Sequence, residues 1–260
     1  MLKIASWNIN GLRASLKSGA FLKWVNNVAP DIIGLQEVKA NSEQVSDPFW
    51  KDDGTNHYSE LWHSGDRKGY SGALLLSKLN LKSSKLGLDK PEFLAEGRVI
   101  EACFDNFTLI SAYFPNGGRN SERLEYKLHF NEVFLERINT LQKEGHRVIF
   151  MGDLNVAHRD LDVARPDENK NNSGFLEVER EWVDRVVSLG FQDSFRILNP
   201  GLKDAYSYWD PWRKRRERNI GWRIDYIFIC DDLVPYLQKA YIQPEFLGSD
   251  HCPIGIEIDV

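Results

Sequence analysis

The sequence contains little cysteine and no long apolar run. Its 260 residues include three cysteines, Cys103, Cys230 and Cys252, and no Cys-x-x-Cys pair. This usage predicts reduced, buried thiols in a cytoplasmic protein rather than a disulfide framework. No membrane span is expected, because no stretch of 18 or more apolar residues occurs. Residues 1–10 also lack the basic and apolar regions of a signal peptide.

Several catalytic and nucleotide-binding motifs are missing as well. The chain has no GxxxxGK[ST], no GxGxxG after a strand, no GxSxG and no HExxH. We therefore expect no nucleotide cofactor and no zinc-protease chemistry. A serine nucleophile activated by His251 is disfavoured, since no nucleophile-elbow motif accompanies it.

Acidic residues outnumber basic ones, 38 to 33, but positive charge is concentrated in one place. The net charge is −5, which argues weakly against nucleic-acid binding. Residues 213–218, RKRRER, nevertheless hold five cations in six positions. A charge run is usually a solvated loop, and phosphate binding is the alternative that this segment leaves open.

Short β-branched runs alternate with segments of helical periodicity. The runs that predict strands are 2–8, 31–37, 72–77, 98–104, 107–113, 147–153, 224–230 and 254–260. The segments 17–28, 121–143 and 177–189 predict helices, and Gly145 and Gly190 follow the last two. No repeat or linker interrupts the pattern, so we expect one α/β domain over residues 1–260.

Polar side chains recur at the ends of the predicted strands. They are Asn8, Asn10, Glu37, Tyr113, Asp153, Asn155, Asp225, Asp250 and His251. Singly each has an ordinary explanation: an Asx residue after a strand makes a turn, Glu37 makes a surface salt bridge, and residues 248–254 (GSDHCPI) form a loop. Together they are an oxygen-rich set that suits Mg²⁺ or Mn²⁺ rather than zinc. Combined with an Asp/His pair, such a site is typical of phosphodiester hydrolysis.

An ordered set of motifs extends this interpretation. The chain resembles the exonuclease III class of apurinic/apyrimidinic endonucleases, within the endonuclease/exonuclease/phosphatase superfamily. The motifs that carry the resemblance are WNINGLRA (7–14), DIIGLQEVK (31–39), GYSGALLLS (69–77), EGR (96–98), YFPNGGR (113–119), GDLNVAH (152–158), NIGWRIDYIF (219–228) and GSDHCP (248–253).

The resemblance implies both a fold and an activity. The fold would be a four-layered α/β sandwich, with two packed mixed sheets flanked by helices. The activity would be Mg²⁺-dependent cleavage of double-stranded DNA 5′ to an abasic site, leaving a 3′-hydroxyl, with Mn²⁺ as a substitute metal. Exonuclease and 3′-end trimming are further activities of this class, and a monomer is the expected state.

The resemblance also implies roles for the residues at the strand ends. Glu37 would be the principal metal ligand, Asp153 would act on the water or the leaving group, and Asp225 would orient His251 toward the phosphate. Asn155 would hold a phosphate oxygen, and Tyr113 would lie on the leaving side. The set expected around the metal is Asn8, Glu37, Asp153, Asn155, Asp250 and His251. Asn10 stands where some members have aspartate, so the number of metals stays open.

Matching to the family assigns a DNA-facing surface too. Tyr208, Trp222 and Ile224 would form the pocket for the sugar without a base, although plain core packing is the alternative for Trp222. Trp212 and Arg119 would project into the duplex. The residues expected to contact phosphate are Lys39, Tyr70, Arg98, Asn116 and Asn169. The YSYWDPW loop (206–212) departs from the more usual tryptophan-rich version.

Two other functions fit parts of the pattern. A phosphatase, or a phospholipid or inositol-phosphate diesterase, on the same fold would keep Glu37, Asp153, Asn155, Asp250 and His251. It would not need the GWR segment or a basic loop. A DNA-binding protein without catalysis would not need the intact polar set.

Overall fold

Two sheets of six strands each form the centre of the protein. A computed structural model describes residues 1–46, 48–50, 57–118 and 120–260. The strands are β1 (Leu2–Asn8), β2 (Ile32–Gln36), β3 (Ser59–His63), β4 (Ala73–Ser77), β5 (Ser83–Leu86), β6 (Val99–Cys103), β7 (Thr108–Tyr113), β8 (Val148–Asp153), β9 (Phe191–Asp193), β10 (Asp225–Cys230), β11 (Leu237–Ile242) and β12 (Ile254–Ile258). The strand orders are β11-β12-β1-β2-β4-β3 and β5-β6-β7-β8-β10-β9.

Both sheets are mixed. In the first, β1 runs parallel to β2 and antiparallel to β12. In the second, β7 and β8 are parallel and β10 is antiparallel to β8. The eight strands expected from apolar runs are confirmed with small changes at their ends, and β3, β5, β9 and β11 were missed. These four strands are the outer strands of the two sheets.

Seven α-helices accompany the sheets in the described part of the chain. They are α1 (Leu12–Ser18), α2 (Ala20–Val28), α3 (Pro91–Leu94), α4 (Ser121–Lys143), α5 (Pro166–Asn169), α6 (Glu177–Ser188) and α7 (Ser194–Leu198). The predicted helix over 17–28 was wrong in its extent, because Gly19 adopts φ 74° and separates α1 from α2. None of the helices described is both long and apolar enough to cross a membrane.

The sheets pack face to face and each outer face carries helices. Strands β1 and β2 contact β7 and β8 across the interface. A Cβ on Gly34 would come within 2.5 Å of Ser111 Oγ, so any larger residue would have to displace the side chains between β2 and β7. On the outer face of the first sheet, Trp7 packs against Phe21 and Trp24 of α2. On that of the second sheet, Phe134 of α4 packs against Phe150. The expected four-layered sandwich is confirmed.

A buried ion pair joins α4 to α6 behind the carboxyl end of β8. Lys127 Nζ lies 2.5 Å from Glu179 Oε1 and donates to the Asn155 carbonyl at 2.8 Å. Both side chains are 0% exposed. Glu179 Oε2 accepts hydrogen bonds from the amides of Gly174 and Leu176. The pair therefore ties two helices to the loop that begins at Leu154 and to the loop between α5 and α6.

Removing the lysine should destabilise the protein strongly. We expect Lys127→Met to lower the free energy of unfolding by about 3–5 kcal/mol, because Glu179 would remain buried without its cation. Urea denaturation measures this loss. Arg185→Gln is the matched control, since Arg185 pairs with Glu132 across the same two helices but on the surface. Its expected loss is below about 1 kcal/mol, and equal losses in the two variants would refute the argument.

Candidate active site

Strand register brings three of the predicted polar residues to one end of the second sheet. Tyr113 at the end of β7 lies opposite Asp153 at the end of β8. Asp225 at the start of β10 lies opposite the same Asp153. Because side chains alternate between the two faces of a strand, this register determines which side chains of neighbouring strands lie next to one another. The sequence predicted this convergence, and these three residues confirm it.

Asn8 connects the polar groups of the two sheets. Its Nδ2 donates to Glu37 Oε1 at 3.0 Å and to Asp153 Oδ2 at 2.9 Å. Its carbonyl accepts a hydrogen bond from Ser249 Oγ at 2.8 Å, which anchors the 248–253 loop. Asn8 is fully buried, so this amide fixes the distance between the two carboxylates.

Several residues of the cluster adopt a left-handed backbone. The φ angles are 45° at Asn10, 48° at Glu37, 54° at Lys39 and 53° at Asn155. Such conformations cost free energy in residues other than glycine and concentrate at functional sites. Each of these residues lies within three positions of the end of a strand, so the turn aims its side chain into the cluster.

One part of the site is a set of oxygen ligands. Lys39 Nζ contacts Glu37 Oε2 at 2.8 Å and also donates to Asn10 Oδ1. Asn10 Nδ2 donates to Asp250 Oδ1 at 2.8 Å. Burial raises the pKa of Glu37, but hydrogen bonds from Asn8 and Lys39 outweigh it and leave the pKa below its ordinary value. An ionised carboxylate, a second carboxylate and an amide oxygen fit a hard divalent cation. The Lys39 ammonium lies at the same place and balances the negative charge of Glu37.

The other part is an imidazole between two aspartates. His251 Nδ1 lies 2.8 Å from Asp225 Oδ2, and Nε2 lies 3.8 Å from Asp153 Oδ2. Burial alone would lower the pKa of His251, but the two carboxylates raise it to about 10. Burial raises the pKa of Asp153 to about 7, against the opposing charge of His251. The imidazole is therefore held as a cation with a fixed orientation.

These three residues are also a group that could hold a metal. One ligand atom from each of Asp153, Asp225 and His251 lies within 4.8 Å of the others. To bind a metal there, His251 would have to lose the proton on Nε2, although the carboxylates of Asp225 and Asp153 hold the imidazole charged. The oxygen set around Glu37 needs only the withdrawal of Lys39. The donor chemistry therefore favours the Glu37 side for a hard cation.

Tyr113 is supported from behind by a buried arginine. Arg98 stacks on the Tyr113 ring at 4.5 Å and donates to the Tyr113 carbonyl at 3.0 Å. It also pairs with Glu96 and donates to Tyr70 Oη. Burial and the nearby carboxylates of Glu37 and Asp153 hold the pKa of Tyr113 well above its ordinary value, so the phenol keeps its proton.

The placement of Arg98 corrects one expectation. Arg98 was predicted to contact DNA phosphate, but its side chain is 1% exposed. A guanidinium committed to Glu96, Tyr70 and the Tyr113 backbone is not presented to a phosphate at the surface. The EGR segment instead supplies the support for Tyr113. Tyr70 Oη receives a second hydrogen bond from Arg123 and donates to Glu96.

An open cleft of about 980 Å³ contains most of the predicted residues. Those that line it are Glu37, Tyr113, Asn116, Asp153, Asn155, Asn169, Tyr208, Trp222, Ile224, Asp250 and His251. The sequence interpretation missed the rest of an amide-rich rim, Asn120, Asn171, Asn172 and Ser173, which also lines the cleft. Residues 169–172 read NKNN, and this run of asparagines was the available signal.

An apolar wall stands beside the imidazole. The Tyr208 and His251 rings lie 4.8 Å apart, and Tyr208 exchanges backbone hydrogen bonds with Trp222. Trp222 packs edge-on against Phe175, at 6.2 Å between ring centroids. Ile224 belongs to the same small cluster. Trp222 therefore packs against its neighbours and also lines the cleft. It combines the two expected placements, core residue and pocket residue.

The loop that carries Trp212 lies next to the cleft, which Asp210 and Arg215 of the same loop line. Trp212 is 76% exposed, and Arg213, Lys214 and Arg218 beside it are exposed too. Arg215 lines the cleft and pairs with Asp210. Arg119, the other residue expected to project into DNA, lies outside the described residues.

Comparison with known proteins places this geometry in a family. Residues 5–251 match the model of the endonuclease/exonuclease/phosphatase family. An exodeoxyribonuclease of Bacillus subtilis is 39% identical, with both chains covered completely. DNA repair nuclease APEX1 of Danio rerio is 38% identical over all of this chain and 83% of its own length. The structure of an AP endonuclease from Archaeoglobus fulgidus superposes with a TM-score of 0.89 at 29% identity, covering 100% of both chains. The chain therefore belongs to the endonuclease/exonuclease/phosphatase family, as its motifs predicted.

Proposed function

We propose that the protein is a metal-dependent DNA-repair phosphodiesterase that cuts the DNA backbone 5′ to an abasic site and leaves a 3′-hydroxyl. The observation that carries the proposal is the His251–Asp225–Asp153 cluster, with oxygen ligands on one side and the apolar wall of Tyr208, Trp222 and Ile224 on the other. The relatives named as exodeoxyribonuclease, DNA repair nuclease and AP endonuclease support the same substrate class.

The oxygen ligands would hold Mg²⁺, with Mn²⁺ as a substitute. Glu37 and Asp250 offer carboxylates, and Asn8 and Asn155 offer amides at the border of the same cluster. When bound, such an ion neutralises charge on the phosphate as the bond breaks. Lys39, released from Glu37, would then reach a phosphate oxygen.

The protein's own groups would carry the proton transfers and the orientation. Asp153 holds a raised pKa, so its carboxyl can accept a proton from water near neutral pH or deliver one to the leaving oxygen. The His251 imidazolium would donate to a phosphate oxygen while Asp225 holds its ring. Asn155 Nδ2 now donates to the Phe114 carbonyl at 2.9 Å and to Asp153, and it would turn to the phosphate. Tyr113, which keeps its proton, would donate a hydrogen bond to the phosphate on the leaving side.

The cleft explains the choice of an abasic site. A sugar without its base leaves an apolar face that fits against Tyr208, Trp222 and Ile224, whereas a flipped base would meet their rings. Trp212, whose side chain is exposed, would enter the duplex, and by the family match so would Arg119. The exposed cations Arg213, Lys214 and Arg218 would follow the phosphates. Asn116, Asn169 and Tyr70 would add phosphate contacts. We propose a cytoplasmic monomer that acts on double-stranded DNA without a nucleotide cofactor.

A duplex with one synthetic abasic site tests the proposal. With Mg²⁺ or Mn²⁺ we expect a single nick at the lesion, and with EDTA or on the matched undamaged duplex we expect none at that position. A phosphomonoester and an inositol phosphate serve as competing substrates. Turnover of either, without a nick in the abasic duplex, would overturn the proposal in favour of a small-molecule phosphatase or diesterase.

A further inference from the structure

One cation of the 213–218 run turns into the protein. Arg213, Lys214 and Arg218 are exposed, whereas Arg216 is half-buried. Its guanidinium lies over the Trp209 ring at 4.6 Å. A side chain in this position is not available to a DNA phosphate, so Arg216 differs in kind from its neighbours.

Arg216 donates to three backbone carbonyls of another segment. Nη1 donates to Ser249 O at 2.8 Å, and Nη2 donates to Pro244 O at 3.0 Å and to Phe246 O at 2.7 Å. The planar fork of arginine suits several acceptors at once, whereas the single ammonium of lysine is a point charge. Arg216 thus joins the loop of Trp212 to residues 244–249.

Residues 244–249 lie directly before Asp250 and His251 in the sequence. Ser249 Oγ donates to the Asn8 carbonyl at 2.8 Å and accepts from the His251 amide at 3.1 Å. The Asp250 carbonyl accepts from the amide of Trp209 at 3.0 Å, and Trp209 is the residue on which Arg216 stacks. The backbone of Asp250 and His251 is therefore held between Asn8 on one side and the Arg216–Trp209 stack on the other.

We propose that Arg216 is a positioning residue, which holds Asp250 and His251 in place against the DNA-facing loop rather than contacting phosphate. Its role in the reaction rests on the proposed function; its role in placing Asp250 does not. Arg216 therefore connects the loop that would contact DNA to the loop that carries the catalytic side chains.

Steady-state kinetics on an abasic duplex separate this role from phosphate binding. We expect Arg216→Gln to lower kcat by about 10- to 100-fold, because a displacement near 1 Å in a catalytic constellation costs about 10²-fold. KM and its salt dependence should change less than about twofold. Arg218→Gln is the matched control for a lost cation. It should raise KM and reduce by about 1 the slope of log KM against log salt concentration. Arg216→Lys should restore little of kcat, since the fork is lost while the charge remains.

Binding of Mn²⁺ to the DNA-free protein, followed by electron paramagnetic resonance, gives a readout that does not need turnover. Arg216→Gln and Arg216→Lys should weaken Mn²⁺ affinity about 3- to 10-fold because Asp250 loses its placement, and Arg218→Gln should keep the wild-type affinity. Urea denaturation shows which variants are folded; if Arg216→Gln is not, Arg216→Lys alone decides. Wild-type kcat and Mn²⁺ affinity in Arg216→Lys, or a pure KM and salt effect in Arg216→Gln, would overturn the proposal. If the wild type cuts no abasic duplex, the proposed function fails, and the Mn²⁺ comparison still decides the role of Arg216.

Discussion

Asp153→Ala is expected to lower kcat on an abasic duplex by about 10²- to 10⁴-fold, the range that a positioned acid or base contributes. Asp153 lies between Asn8, Asn155 and His251 and is almost completely buried. Its carboxyl is the group of the cluster whose pKa is raised into the neutral range, to about 7. Asp225 and Glu37 cannot replace it, because Asp225 is bound to His251 Nδ1 and Glu37 to Asn8 and Lys39.

The changes in kcat/KM and KM are as informative as the size of the loss in kcat. A group that acts in the transition state lowers kcat and kcat/KM together, so KM should change little. Asp105→Ala is the control, since Asp105 is 82% exposed, pairs with Lys82 and lies in the turn between β6 and β7. A kcat within threefold of wild type in the Asp153 variant would contradict its assigned role.

His251→Ala is expected to lower kcat by about 10²- to 10³-fold, the cost of removing one preorganised donor to developing negative charge. The effect is large because two carboxylates hold the imidazole charged, with its pKa raised to about 10 against the effect of burial. Its ring also packs at a tilt of 46° against the ring of Tyr208, so alanine opens the wall of the cleft as well. Single-turnover rates at saturating Mg²⁺ measure the chemical step apart from DNA release.

His129→Ala is the matched control for His251. His129 is exposed on α4 and contacts Glu92 at 3.2 Å, away from the cleft. Its rate should equal that of the wild type. If instead the two histidine variants cut at similar rates, an imidazolium contact to the phosphate would be excluded.

Much of the fold could be predicted because the inner strands carry strong signals. An inner strand is covered on both faces and reads as a continuous apolar run, as in FTLISAY (107–113) and IDYIFIC (224–230). The four missed strands are the edges of the two sheets. They are short or half-exposed, as Ser83–Leu86 and Leu237–Ile242 show, so polar residues break the pattern that identifies a strand.

The polar cluster of the candidate site was predictable to a similar degree, because its members stand at or near strand ends. The contacts that support them were not. Arg98 and Arg216 belong to segments that suggest phosphate binding, yet both turn inward to backbone carbonyls. A sequence shows that a cation is present, but which neighbours accept its hydrogen bonds depends on loops that meet only in the folded chain. The contact between Lys39 and Glu37 differs from these, because its two partners are only two positions apart in the sequence.

The most direct test of the proposed function is the mass of the two fragments from an abasic duplex incubated with the wild-type protein and Mg²⁺. The account predicts one fragment that ends in a 3′-hydroxyl and a second that begins with a 5′-phosphate on the abasic sugar. Polymerase should extend the first fragment without further treatment. A cut on the 3′ side of the lesion, a 3′-phosphate, or the same products in EDTA would contradict it.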